Sequence, residues 1–322
     1  MDWIVRATND IGLREGLVAG SGLHLAEPLV APYLGVAADG DGIAILMPDL
    51  SREFFAWDRP GGDPIVSLAT LDRVTEAVAR LHAMPWVECR ATTSDWDWPW
   101  CPLRERLTLL SRPSAERYRA GGLAVGTRFI EGWDAFDRRA TTSARALVAD
   151  LAADPDPVLA ALGRLPRTGL HGDLKLANVA LLDDGRVALI DWAMMMLAPI
   201  AVELGWLLVS NTASLPIGPD AVLTVYRDAA ARAASASLTL GGSWLDDPSV
   251  AGHGVLPPRG LAATVGDWDA QVDLTWIVGL LLRGWRKGLD ADAGAVLGSG
   301  ARATDDLDLW CDRAVEAAAR RL

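Results

Sequence analysis

His171-Gly172-Asp173-Leu174-Lys175-Leu176-Ala177-Asn178, followed by Val179-Ala180-Leu181-Leu182-Asp183-Asp184-Gly185-Arg186-Val187-Ala188-Leu189-Ile190-Asp191-Trp192, decides how the rest of the chain reads. Two apolar runs, Asn178–Leu182 and Val187–Asp191, flank an Asp-Gly pair, which is a strong local signal for a β-hairpin. With Asp184 and Gly185 as a two-residue turn, Asn178 is expected opposite Asp191. Opposed residues of an antiparallel pair have Cα atoms about 4.5–5.5 Å apart. An amide oxygen and a carboxylate at that separation suit Mg²⁺, which needs few protein ligands and keeps waters or phosphate oxygens. Asp173 lies upstream on the entering loop, where it can accept a proton from a hydroxyl.

Working outward from this hairpin, residues 11–22 read as a short helix ending in Gly, and 34–39 with 42–47 as a hairpin about Gly40-Asp41. Met47-Pro48-Asp49-Leu50 leads out of its second strand. A helix is expected from Ser67 to about Met84, with Leu68, Leu71, Val74, Val78 and Leu81 on one face. Leu103–Leu110, Ala115–Ala120, Phe129–Asp137 and Ser143–Asp154 read as further helices separated by Pro and Gly. Asp95-Trp96-Asp97-Trp98-Pro99-Trp100 reads as a Trp-rich packing knot, with stacking on a sugar ring as the alternative. Residues 219–237, 270–288 and 305–322 complete the helical pattern. Arg283, Arg286 and Lys287 read as a solvated helix C-terminus, where cations suit the dipole. Scattered acids, Asp273 among them, read as surface charge.

The 322 residues are 51% hydrophobic, carry 14 Trp and have a net charge of −12. That size supports one two-lobed domain or two domains. The negative charge argues against nucleic acid and anionic membranes as partners and is compatible with a cationic small molecule. The only lysines are Lys175 and Lys287. Three cysteines without a CxxC pattern read as reduced thiols of a cytoplasmic protein. The chain opens without a basic, apolar leader, and its most apolar run, 192–202, is too short to span a bilayer.

His171-Gly172-Asp173…Asn178 with Ile190-Asp191-Trp192 resembles the catalytic loop of the kinase fold, in the small-molecule branch that holds aminoglycoside phosphotransferases and choline kinases. Ala79-Arg80-Leu81-His82-Ala83 is similar to the helix end that precedes that loop. The resemblance implies an α+β, protein-kinase-like two-lobed fold with a large, mostly helical C-lobe. It implies Asp173 as catalytic base, Lys175 near the transferred phosphoryl group, and Asn178 and Asp191 as Mg²⁺ ligands. Adenine or guanine of ATP or GTP would meet the backbone of Met47, Pro48, Asp49 and Leu50, the hinge. His171 and His82 would be packed, orienting residues, and Glu203 would hold the catalytic loop. Ten residues precede the helix at 11–22, and there is no GxGxxG and no Lys before Lys175. The expected small lobe therefore lacks its first strands. Arg6 is the one basic residue offered in place of the missing lysine. The implied division is 1–50 as a partial N-lobe and 51–322 as the C-lobe with substrate lid. Two functions follow: phosphoryl transfer from a nucleoside triphosphate to a hydroxyl of a small molecule, or a pseudokinase that binds without transfer.

Overall fold

The computed structural model describes residues 3–10, 13–20, 25, 27–40, 42–54, 65–84, 86, 99–240 and 264–322. Its first helix, α1 (Trp3–Ala7), is followed by α2 (Arg14–Gly20), which covers a two-stranded hairpin of β2 (Gly35–Asp39) and β3 (Gly42–Leu46). Val36 pairs with Ile45 and Ala38 with Ile43, so period-2 alternation puts these four on one face. That face meets α2, where Ile43 lies against Gly16 and Val36 against Gly20. Helix α2 falls inside the expected range.

Helix α3 (Leu68–Ala83) starts where its sequence says it should. The Ser67 hydroxyl accepts the Thr70 amide at 3.0 Å, satisfying one of the free N–H groups of the first turn. Leu71, Val74, Val78 and Leu81 are buried. Leu68 is not: it is 59% exposed in the first turn. The helical part continues through α4 (Leu103–Thr108), α5 (Arg112–Ala120), α6 (Ala124–Arg139), α7 (Thr142–Ala153) and α8 (Asp156–Leu162), the last unforeseen in the sequence. Later come α9 (Ile200–Ser210), α10 (Pro219–Leu240), α11 (Trp268–Asp292) and α12 (Ala303–Arg321). Helix α11 lies at the centre of this part, packed against α6, α9 and α12. Helix α9 is buried along its whole length. Among the described residues no helix is long and apolar enough to cross a membrane. Most of the Trp-rich stretch, 87–98, lies outside the described residues; Trp100 meets Trp86 edge-on at 6.3 Å.

The catalytic hairpin is β5 (Val179–Leu181) and β6 (Val187–Leu189), extended by β1 (Leu29–Val30) in parallel with β6. Its register differs from the sequence expectation. Val179 pairs with Leu189 and Leu181 with Val187, and the Ile190 amide donates to the Asn178 carbonyl at 3.1 Å. Asn178 therefore faces Ile190, not Asp191. The reason is the turn. A two-residue type I′ turn needs positive φ at both Asp184 and Gly185. Of the two, only Gly185 has it, at +92°. Asp183, Asp184 and Gly185 form a three-residue loop closed by the Leu182 amide on the Arg186 carbonyl at 2.9 Å. The Asp184 carboxylate stabilises it, accepting the Arg186 amide at 3.0 Å and its guanidinium at 2.7 Å.

Arg6 does not take the place of a strand lysine. It sits on a helix rather than a strand, and it is exposed. Trp3 of the same helix packs on Tyr118 and Phe129, with ring centroids 4.7 and 6.2 Å away. Buried Arg14 ties this region to the segment after Asp191, donating to the carbonyls of Thr8 at 2.7 Å and Ala193 at 2.9 Å.

Candidate active site

The catalytic loop enters from β4 (Thr168–Leu170), which pairs with β7 (Met196–Ala198). Gly172 makes the turn possible. Its φ is +82°, and a Cβ there would lie 1.9 Å from the Met194 carbonyl oxygen. Glu203 of α9 holds the loop from beneath. It accepts the Gly172 amide at 2.7 Å and the His171 amide at 2.8 Å, and His82 lies 3.2 Å from it. The other His82 nitrogen is 2.6 Å from the Tyr226 hydroxyl. Burial alone would raise the Glu203 carboxyl; the His82 and His171 rings and the Gly172 amide outweigh it and hold the group below its usual value. Glu203 is thus the structural anchor that its position suggests.

His171 orients rather than reacts. Its Nδ1 accepts the Asp173 amide at 3.3 Å, so Nε2 carries the proton and donates to the Ile190 carbonyl at 2.9 Å. The ring also packs on Trp192, 4.7 Å between centroids. Two side chains that the sequence reading missed complete the frame. Asn211 accepts the Leu176 amide at 2.8 Å, and Arg106 donates from Nε to the Gly172 carbonyl at 3.1 Å.

On this frame Asp173, Lys175, Asn178 and Asp191 converge. Lys175 Nζ donates to Asp173 Oδ2 at 2.7 Å and lies 3.8 Å from Asp191 Oδ2. Asn178 Nδ2 donates to the Asp173 carbonyl at 2.9 Å and to Oδ2 at 3.3 Å. The one-residue slip of the hairpin would turn Asp191 to the other face. Asp191 is instead left-handed, φ 65° and ψ 59°, which breaks the alternation as the strand ends and brings its carboxylate to Lys175. Asp tolerates that conformation better than most residues. Glu15 of α2 fixes the bend: its Oε1 accepts the Asp191 amide at 2.9 Å and the Tyr33 hydroxyl at 2.8 Å.

Burial and the charge of Asp173 push the Asp191 carboxyl up, and Lys175 opposes them. Two carboxylates share one lysine, so the site has a negative charge to spare. The Asn178 amide nitrogen is committed to Asp173, which leaves its oxygen as the atom that could hold a cation. This donor set, a hard amide oxygen and an under-compensated carboxylate, fits a divalent cation held by few protein ligands. Among the described residues no three His, Cys, Asp or Glu side chains form a closed metal cage, so the remaining ligands would come from water or phosphate. Of Met47–Leu50, the residues read as a hinge, one packs on the hairpin. Leu50 is buried against Ala180 and Ala188 beneath the hairpin, with Phe54 bridged to Ala180. Met47 and Pro48 are half-buried and Asp49 is exposed, its carboxylate accepting the Ser51 amide at 3.0 Å.

Helix α11 overturns the reading of its cations. Lys287 is buried and paired with Asp306, and Arg283 stands over Trp206 and Trp285, its guanidinium 5.3 and 5.6 Å from the ring centroids. Only Arg286 pairs as a surface charge does, with Asp290 at 3.0 Å. Asp273, read as surface charge, is buried under Arg320 and Arg321.

No curated protein matches this sequence. Among solved structures, an aminoglycoside phosphotransferase from Alicyclobacillus acidocaldarius subsp. acidocaldarius DSM 446 is similar at 16% identity and a TM-score of 0.36, over 98% of this chain and 80% of that one. A choline/ethanolamine kinase family protein from Mesorhizobium loti is similar at 15% identity and a TM-score of 0.38, over 97% of this chain and 84% of that one. The sequence model of the phosphotransferase enzyme family APH matches residues 24–238, the span that runs from before the small hairpin through the catalytic loop to α10, and the chain belongs to that family.

Proposed function

We propose that this protein is a Mg²⁺-dependent phosphotransferase that moves the γ-phosphate of ATP or GTP to a hydroxyl of a small molecule. The observation that carries the reading is Lys175 set between the carboxylates of Asp173 and Asp191. Asp173 Oδ2 is engaged by Lys175 and Asn178, so Oδ1 faces the acceptor. There it orients the hydroxyl and accepts its proton as the oxygen attacks. Lys175 neutralises charge on the transferred group. His171, Glu203, Asn211 and Arg106 hold the loop so that no backbone rearrangement accompanies transfer. A cation held by Asn178 and Asp191 would supply charge neutralisation at the phosphates. The purine would lie along Met47–Leu50. The buried thiols of Cys101 and Cys311, pushed up to about 11 by burial, suit a reducing cytoplasm.

The test is nucleoside diphosphate release over a panel of hydroxyl compounds, with wild type and Asp173→Asn. Transfer by wild type and a loss of about 10²–10⁴-fold in kcat in the variant, at unchanged Tm, supports the assignment. Turnover near wild type in Asp173→Asn removes it. Nucleotide binding with no release from any acceptor favours the pseudokinase reading.

A further inference from the structure

Two arginines flank Asp173 on its large-lobe side, and neither has a carboxylate partner among the described residues. Arg106 of α4 is 1% exposed. Its Nε donates to the Gly172 carbonyl, and its guanidinium stacks 4.1 Å from the Trp206 ring centroid. Arg283 comes from the point where α11 leaves helical geometry, φ −142° and ψ 20°. Its Nε is buried with no acceptor. The same holds for the indole N–H groups of Trp206 and Trp285, the two rings over which Arg283 stands. One cluster beside the catalytic loop thus holds three buried N–H donors with no acceptor for any of them among the described residues.

Buried donors are almost always paired; Arg283 as a whole is half-buried, and it is its Nε that lacks a partner. Cation–π contact satisfies the face of a ring and leaves every N–H free. The carboxylate of Asp173 acts on both arginines and is already engaged by Lys175; Glu203 also acts on Arg106, and Asp290 on Arg283. Burial, with Arg286 adding to it, lowers Arg283 to about 10, while Asp173 and Asp290 act in the other direction. An ammonium group entering beside Asp173 would meet two guanidinium groups. A carboxylate or phosphate would supply the missing acceptors, and the planar guanidinium matches either one.

We propose that the acceptor is a small hydroxy compound bearing a carboxylate or a phosphate, and that Arg283, with the Trp206 and Trp285 N–H groups, binds that anionic group while the hydroxyl faces Asp173. This deepens the phosphotransferase reading and rests on it. It also replaces the cationic acceptor that the net charge of the whole chain suggests, because local charge at a site, not the total, selects a ligand.

The experiment is calorimetry on the full chain without nucleotide. The probes are a library of hydroxy acids and sugar phosphates, each set against its amide, alcohol and amino counterpart. Anionic members should bind at least ten-fold tighter than their counterparts, and the tighter of the carboxylate and phosphate series identifies the group. Arg283→Gln should erase that difference and leave the affinity for a non-hydrolysable Mg-nucleotide unchanged. Trp285→Phe keeps an aromatic side chain while removing the N–H and the pyrrole half of the indole. It should weaken anion binding several-fold and raise KM with little change in kcat, which serves if Arg283→Gln does not fold. The proposal fails if amino or neutral members bind as well as the anions, if no anionic member binds, or if Arg283→Gln weakens the nucleotide instead. Anion binding with no diphosphate release from any acceptor would break the phosphotransferase reading and leave the anion site standing. Release with an amino alcohol alone would do the reverse.

Discussion

Glu203, on α9, accepts the Gly172 backbone amide at 2.7 Å and so binds the turn of the catalytic loop to the most deeply buried helix of the large lobe. Its second oxygen takes the His171 amide at 2.8 Å. Removing the carboxylate would strand two amides and His82 in the core. Glu203→Ala should cost about 3–5 kcal/mol, the range for breaking a buried charged contact. The pH dependence has a definite sign. The carboxyl lies below its ordinary value in the fold. Its contribution is therefore full above about pH 4.3, the unfolded value, and is lost as pH falls through the folded one. Urea unfolding from pH 7 to pH 3 should show wild type losing stability faster than Glu203→Gln. Parallel curves would show that the carboxylate is not an anchor.

Gly172 is the position where the loop tolerates no side chain. At φ +82° an L-residue is strained, and the Cβ would sit 1.9 Å from the Met194 carbonyl oxygen, a backbone atom with no freedom to retreat. Gly172→Ala should destabilise by about 3 kcal/mol or more, combining left-handed strain with overpacking. Thermal unfolding measures it. A Tm within about 2 °C of wild type would mean that the loop has another conformation available.

What the sequence made legible here is local. The capped start of α3, the two hairpins and the convergence of Asp173, Lys175, Asn178 and Asp191 depend on short-range pattern and on the spacing of a known loop. The register of the catalytic hairpin was not legible, because Asp184-Gly185 serves a two-residue turn and the last two places of a three-residue loop equally well. The approach of Asp191 to Lys175 then arises from the left-handed backbone of Asp191, which no periodicity announces. Arg106 and Arg283 were invisible for another reason. In a chain whose basic residues are nearly all arginine, only the packing of α4, α9 and α11 distinguishes the two that stand beside Asp173. The same packing buries Lys287, which the amphipathic reading left in solvent.

Asp273 provides a test of that packing at the other end of α11. Burial would raise its carboxyl, but hydrogen bonds from Arg320 at 2.6 Å and Arg321 at 2.7 Å reverse the sign and hold it low. Its contribution is thus present above the unfolded carboxylate value of about 3.9 and disappears as pH falls through the folded one. Asp273→Asn should cost about 1 kcal/mol at pH 7, after discounting for the exposed arginines, and close to nothing at pH 2.5. Equal losses at both pH values would mean that shape, not charge, joins α11 to α12.

Asp191 should show the opposite trade between stability and function. In the fold its ionised form is disfavoured by burial and by Asp173, and Lys175 only partly offsets them. Asparagine keeps the side-chain size and tolerates the left-handed backbone at φ 65°. Asp191→Asn should therefore leave Tm nearly unchanged, since the carboxylate is 42% exposed and solvent screens the repulsion, while lowering kcat by orders of magnitude. The repulsion predicts a second asymmetry. A divalent cation relieves it in wild type, so millimolar Mg²⁺ should raise the wild-type Tm and leave that of Asp191→Asn nearly unmoved. Chelation with EDTA should cancel the wild-type gain. If Asp191→Asn unfolds at a lower temperature and still responds to Mg²⁺ like wild type, Asp191 is a structural residue and the cation binds elsewhere. Lys175→Met separates the remaining case. Without its ammonium group the two carboxylates face each other unscreened, and the Mg²⁺-induced rise in Tm should grow rather than shrink.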